Sequence, residues 1–315
     1  TEIYTLSLHD ALPIFTGAGV GTALCFCIAA FTGFEQAPVY AEETSRPHVL
    51  VPRVMLLAVA FVTVFFAISS WAYTVATGPS AIVGTARKES AGLLFTLTES
   101  RLGGTFTDVL HVLFVTGMFA ALLSFHNVVA RYAFAMGREG LLPRSFGRTT
   151  GASGAPGTGS LLQTVVSAVV VIGFAVVDDK PVGDPTEPVL HLFTWAGNIG
   201  ALGVILLMAA ASVSVIVFFV RRGGAAAQAR RLVTSALAAA ALLVIAGYTV
   251  KDFDILVGAG PDSALSWVLP GIIGLALVVG LVQGLVLRSR SPEAHARIGL
   301  GNEAFRLDEA AREVS

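Results

Sequence analysis

Apolar residues fall into seven runs, each long enough to cross a bilayer and separated from the next by polar residues. A hydrocarbon core of about 30 Å takes roughly 20 helical residues. The runs cover residues 16–40, 54–77, 109–136, 160–177, 189–220, 232–250 and 265–287. Each predicts an α-helix, because a lipid-exposed strand would leave backbone groups unpaired. The fifth run is longer than the hydrocarbon requires, so it tilts or projects into water. Within the long connection 78–107, the semi-apolar stretch 91–97 predicts a short interfacial helix. Residues 149–159, TTGASGAPGTG, are rich in Gly, Ser and Thr and read as a flexible link. Residues 291–315 form a charged, helix-compatible tail.

Composition agrees with a membrane solvent. Of 315 residues, 55% are hydrophobic and 13% charged, about half the charged share of a soluble domain. Mean hydropathy is +0.77. A net charge of −1 offers no basic surface for nucleic acid. Cys25 and Cys27 are two apart on a helix and face different sides, which disfavours a shared metal or a disulfide. No phosphate loop, zinc spacing or cofactor box is present, so neither a cofactor, a metal nor direct ATP drive is expected.

The basic residues alternate between connections. Arg46 and Arg53 follow the first run, Arg138, Arg144 and Arg148 the third, and Arg221, Arg222, Arg230 and Arg231 the fifth. The tail carries Arg288, Arg290, Arg297, Arg306 and Arg312. The other connections are poorer in arginine, and two are acidic, with Asp178, Asp179, Asp184 and Glu187 in one and Asp252, Asp254 and Asp262 in the other. The positive-inside rule makes the arginine-rich set cytoplasmic. The C-terminus is therefore expected in the cytoplasm of a multi-pass protein of the cell membrane. Asp178 and Asp179 read as solvated loop. Residues 1–15 have no basic n-region or cleavage site. They resemble translated adapter sequence and are expected to be foreign to a transmembrane domain covering 16–290.

The first run is the most informative. It places Thr32, Gly33, Phe34 and Glu35 near the bilayer centre, with Pro38 just beyond. Glycine eases departure from the helical path, and proline removes a donor. An ionisable side chain at this depth costs several kcal/mol unless paired or hydrated. Local unwinding is therefore expected, with carbonyls near Phe31 to Gly33 turned toward a ligand ammonium at the negative end of a half-helix. The alternative is a proline-kinked structural helix with a snorkelling glutamate.

Other polar residues sit in spans. Ser124, Asn127 and Arg131 share one face of the third run, and Gly117 and Ala121 continue it with small residues suited to close packing. Ser124 and Asn127 line a substrate or ion path, or bond between helices. Arg131 and Arg138 anchor the cytoplasmic end. His126, off that face, makes a structural hydrogen bond or takes part in proton coupling. His111 lies at the outer interface. Trp195 and Asn198 share a face of the fifth run, where Trp195 either closes a site or packs on a neighbour. Gly17 and Gly21 form a G-x-x-x-G packing pair.

Two blocks resemble the amino acid–polyamine–organocation (APC) superfamily of permeases. One is Phe31-Thr32-Gly33-Phe34-Glu35 with Ala41-Glu42-Glu43, Pro47 and Val51-Pro52-Arg53. The other is Phe125-His126-Asn127-Val128-Val129-Ala130-Arg131-Tyr132 with Gly137-Arg138-Glu139-Gly140-Leu141-Leu142-Pro143. The resemblance implies that the seven spans are family helices six to twelve. They would be the second inverted repeat of the five-plus-five leucine-transporter-type fold plus two extra helices, with the first five helices outside this chain. It also implies secondary transport of amino acids or polyamines by alternating access, coupled to protons rather than sodium. Substrate would lie at Phe31, Thr32, Gly33, Phe34, Glu35, Ser124, Asn127 and Trp195, with Glu35 and His126 as proton-coupling candidates. The alternatives are an inactive permease fragment, or a membrane channel or enzyme using Glu35 and His126. An enzyme should gather catalytic side chains at one membrane face, and a channel should show polar faces on several spans.

Overall fold

A computed structural model describes residues 20–89, 92–149, 154–177, 189–222, 225–258 and 263–299. The described elements are all helical. In chain order they are α1 (Val20–Phe31), a 3₁₀ segment (Phe34–Glu43), α2 (Pro47–Thr77), α3 (Ile82–Glu89), α4 (Leu93–Leu102), α5 (Gly104–Glu139) and α6 (Gly157–Val177). A π-helical turn (Val189–Phe193) leads into α7 (Thr194–Arg222), followed by α8 (Ala225–Lys251), α9 (Phe253–Leu256), α10 (Leu265–Arg290) and α11 (Pro292–Arg297).

Among the described residues, seven stretches are long and apolar enough to span: Ala23–Glu43, Pro47–Thr77, Gly104–Glu139, Gly157–Val176, His191–Arg221, Ala229–Lys251 and Leu265–Arg290. The number agrees with the sequence pattern, but α2 and α5 start five to seven residues before the apolar runs do. Hydropathy marks where lipid begins, whereas backbone hydrogen bonding carries a helix on through the interface. The stretch expected to be interfacial becomes α4, which extends past it to Leu102. The acidic residues 178–187, Asp262, Gly17, Ala91 and the tail beyond Gly299 lie outside the described residues.

Exposed apolar surface is plain on α2, which has no buried residue and leaves Leu56 72% and Trp71 68% exposed. Such a face in water would invite aggregation. Its hydroxyls are compatible with hydrocarbon because they bond to their own helix: Thr63 donates to Val59 O at 2.7 Å and Thr74 to Ser70 O at 2.8 Å.

The chain divides into two compact units, and the boundary falls between Thr32 and Gly33. One unit joins α1 to α7, α8, α9 and most of α10. Its core is Cys25, Leu202, Ile205, Ala246, Phe253, Leu256 and Leu269. Cys27 points outward, so the two cysteines do face different sides. Gly21 lets α1 approach α8 closely, since a Cβ there would lie 2.6 Å from Tyr248 O.

The other unit contains the 3₁₀ segment and α2 to α6. Gly159, expected in a flexible link, is instead inside α6. A Cβ on it would lie 2.4 Å from Ala130 O, so glycine here serves backbone contact between α5 and α6. The connection after α5 folds back in the same way, bringing Gly147 against Gly137. Gly117, expected to pack closely, has nothing within 4 Å of its would-be Cβ.

Candidate functional site

Helix α1 stops at Phe31. The last carbonyls of a helix have no N–H partner within it. Thr32 takes two of them: its N–H donates to Ala29 O at 3.1 Å and its hydroxyl to Ile28 O at 3.4 Å. Gly33 then turns with φ +122° and ψ −28°, a conformation that strains any L side chain. Glu35 folds back, and its Oε2 accepts the Gly33 N–H at 2.7 Å. The new helix starts where Gln36 N–H donates to Gly33 O at 3.2 Å. A carboxylate at a helix start satisfies an orphan donor and meets the positive end of the peptide dipoles. The interruption expected at residues 32–35 is therefore present. It consists of a helix end, a glycine turn and a capped 3₁₀ start, and Pro38 lies inside the segment that follows.

Beyond the break, the 3₁₀ segment runs along α5 with both chains advancing in the same direction. Ser124 Oγ donates to Gln36 Oε1 at 3.1 Å, and Asn127 Nδ2 to the Tyr40 hydroxyl at 3.0 Å. Arg131 Nη1 donates to Glu43 Oε1 at 2.7 Å, and Arg138 Nη2 to Glu42 Oε1 at 2.7 Å. The face of α5 expected to carry Ser124, Asn127 and Arg131 is thus real, and its partners are Gln36, Tyr40 and Glu43. Ser124 and Asn127 remain exposed along the middle of a long span. Polar side chains at that depth belong beside water or protein, not acyl chains.

His126 lies off this face and shares a 2.8 Å hydrogen bond with the Ser160 hydroxyl on α6. His111 stacks on Phe95 of α4, ring centroids 4.2 Å apart. Phe31 and Thr32 end the first unit, whereas Gly33, Phe34 and Glu35 open the second.

Trp195 and Asn198, on α7, belong to the first unit. Trp195 Nε1 donates to Val257 O at 3.2 Å, and Asn198 Nδ2 to Leu256 O at 2.9 Å. Together they hold the C-terminal carbonyls of α9. Asn198 is only 2% exposed, and its Oδ1 faces the Cys25 thiol at 3.9 Å. Replacing Asn198 by leucine should lower stability by about 1–3 kcal/mol, the cost of stranding a buried acceptor. The melting temperature in detergent would measure this, and an unchanged value would remove the bracing role.

The profile of a family described as amino acid permease matches residues 7–277. The branched-chain amino acid permease BcaP of Lactococcus lactis subsp. cremoris (strain MG1363) is 26% identical over 162 residues, 50% of this chain and 32% of its own. This chain thus aligns with about a third of that relative's length. No solved structure gives a significant match. The family profile covers most of the chain, and the seven apolar helices suit a multi-pass membrane protein. The chain belongs to the amino acid permease family.

Proposed function

We propose that this chain serves secondary active transport of amino acids by alternating access around the break at Thr32–Gly33. The observation that carries the reading is the interrupted first span: a glycine at φ +122° and an acid capping the next helix, within an amino acid permease. The substrate ammonium binds at the negative end of α1 near Phe31 to Gly33. The exposed polar face bearing Ser124 and Asn127 lines the path. The seven spans correspond to family helices six to twelve. The alternating arginine-rich connections favour a cytoplasmic C-terminus in the cell membrane. We assign proton coupling to Glu35, the carboxylate at the break, whose Oε2 accepts the Gly33 N–H. The His126 contact with Ser160 favours a structural role for that ring.

Branched-chain amino acids are the first substrates to test, given the name of the relative. The full-length protein in vesicles should accumulate labelled leucine when a proton gradient is imposed and lose accumulation with a protonophore. Glu35→Gln keeps an oxygen that can accept the Gly33 N–H but removes the charge. It should abolish gradient-driven accumulation while leucine exchange continues. Full accumulation by Glu35→Gln would take the proton from this residue, and absence of any uptake by the wild type would end the transport reading.

A further inference from the structure

The second half of the 3₁₀ segment meets α5 through charged groups that the substrate reading does not use. Arg131 is the hub. Its Nη1 donates to Glu43 at 2.7 Å, its Nε to Asn127 Oδ1 at 3.4 Å, and its guanidinium carbon sits 4.5 Å from the Tyr40 ring centre. Two helical turns further on, Arg138 pairs with Glu42 at 2.7 Å and lies 4.6 Å from the Phe134 ring centre. A cavity of about 380 Å³ opens among these side chains.

In each pair the arginine is the more covered partner. The arginine side chains are 24% and 11% exposed, whereas Glu43 and Glu42 are 61% and 43% exposed. If the 3₁₀ segment moves off, Arg131 keeps Asn127 and Arg138 keeps Phe134, both on its own helix. The glutamates pass into water. Arg138, 11% exposed, gives up the most on separation, and Arg131, 24% exposed, gives up less. Gly33, at the upstream end, has no side chain to resist rotation about its backbone.

We propose that Glu43–Arg131 and Glu42–Arg138 form a two-pair latch. It holds the segment Phe34–Glu43 on α5 and narrows the cavity beside it, and its release opens that face for passage of substrate. The latch rests on the alternating-access reading above, but it is tested separately from it.

The reporter is a cysteine at Ala135, a cavity-lining residue, in a Cys27→Ser background where Cys25 stays buried. Alkylation by a membrane-impermeant maleimide is timed in the full-length protein in vesicles. Neutralising the latch with Glu42→Gln plus Glu43→Gln should speed alkylation about threefold to tenfold, as expected for two partly exposed pairs. Glu43→Arg should speed it at least as much. The swap Glu43→Arg with Arg131→Glu should return it to within about twofold of the parent, the signature of a direct pair. Unchanged alkylation after neutralisation, or a swap as open as the single reversal, overturns the latch. Leucine uptake by the parent, measured on the same vesicles, judges the transport reading instead. Uptake with indifferent alkylation removes only the latch, and altered alkylation without any uptake removes only the transport.

Discussion

Replacing Gly33 by leucine is expected to weaken amino acid binding by at least about tenfold, which corresponds to 1.4 kcal/mol, while the protein still folds. Gly33 sits at φ +122°, and a non-glycine residue there carries about 1–3 kcal/mol of strain. Space is not the obstacle, since the nearest atom to a Cβ would be Gln36 Nε2 at 4.0 Å. The strain is relieved only by turning the backbone toward the helical region. That turn moves the Gly33 N–H away from Glu35 and so undoes the local geometry of the break. Equilibrium binding of labelled leucine to the full-length protein, wild type against Gly33→Leu, measures the effect. The melting temperature checks that folding survives. Equal affinities would show that the turn does not shape the site.

Gly137→Val on α5 should be strongly destabilising. A Cβ at Gly137 would lie 2.4 Å from Gly147 N and 2.7 Å from the Phe146 carbonyl carbon. Both are backbone atoms, so no rotamer change relieves the clash, and the folded-back connection after α5 must move as a whole. Overpacking of this kind typically costs about 1–3 kcal/mol, occasionally more. The same substitution at Gly117, where nothing lies within 4 Å, should stay within about 0.5 kcal/mol. Both residues lie on one helix, so comparing their melting temperatures in detergent separates packing from helix propensity. Equal losses at the two positions would contradict this reading of the contacts.

The spans and the break were legible because hydropathy and local backbone chemistry are short-range properties. Seven apolar runs correspond to the seven membrane-long stretches among the described residues, and the order Thr32-Gly33-Phe34-Glu35 with Pro38 is enough to end one helix and start another. Helical periodicity also put Ser124, Asn127 and Arg131 on one face. What that face meets was not legible. Gln36, Tyr40 and Glu43 also lie at helical spacing, but nothing in the sequence alone sets the register of two segments 87 or 88 residues apart. Arg131 and Arg138 read as interface anchors because the positive-inside rule counts charges without asking what they pair with.

Glycine misled in both directions. Gly117 looked like a packing residue and meets nothing, while Gly137 and Gly159 make the close contacts. Small size permits approach, but tertiary structure chooses where it happens. Trp195 and Asn198 shared a face as expected. Their targets, the carbonyls at 256 and 257, were hidden because that stretch read as a connection and not as the helical turn α9.

The amine is the feature of the substrate that the end of α1 should recognise. The most direct measurement is therefore calorimetric binding of leucine beside its deaminated counterpart, 2-hydroxy-4-methylpentanoate, to wild type and to Gly33→Leu. Wild type should bind leucine at least about tenfold more tightly, and Gly33→Leu should bind the two alike. A wild-type protein indifferent to the amine, or a variant that keeps the full preference, would contradict a binding site at the broken helix.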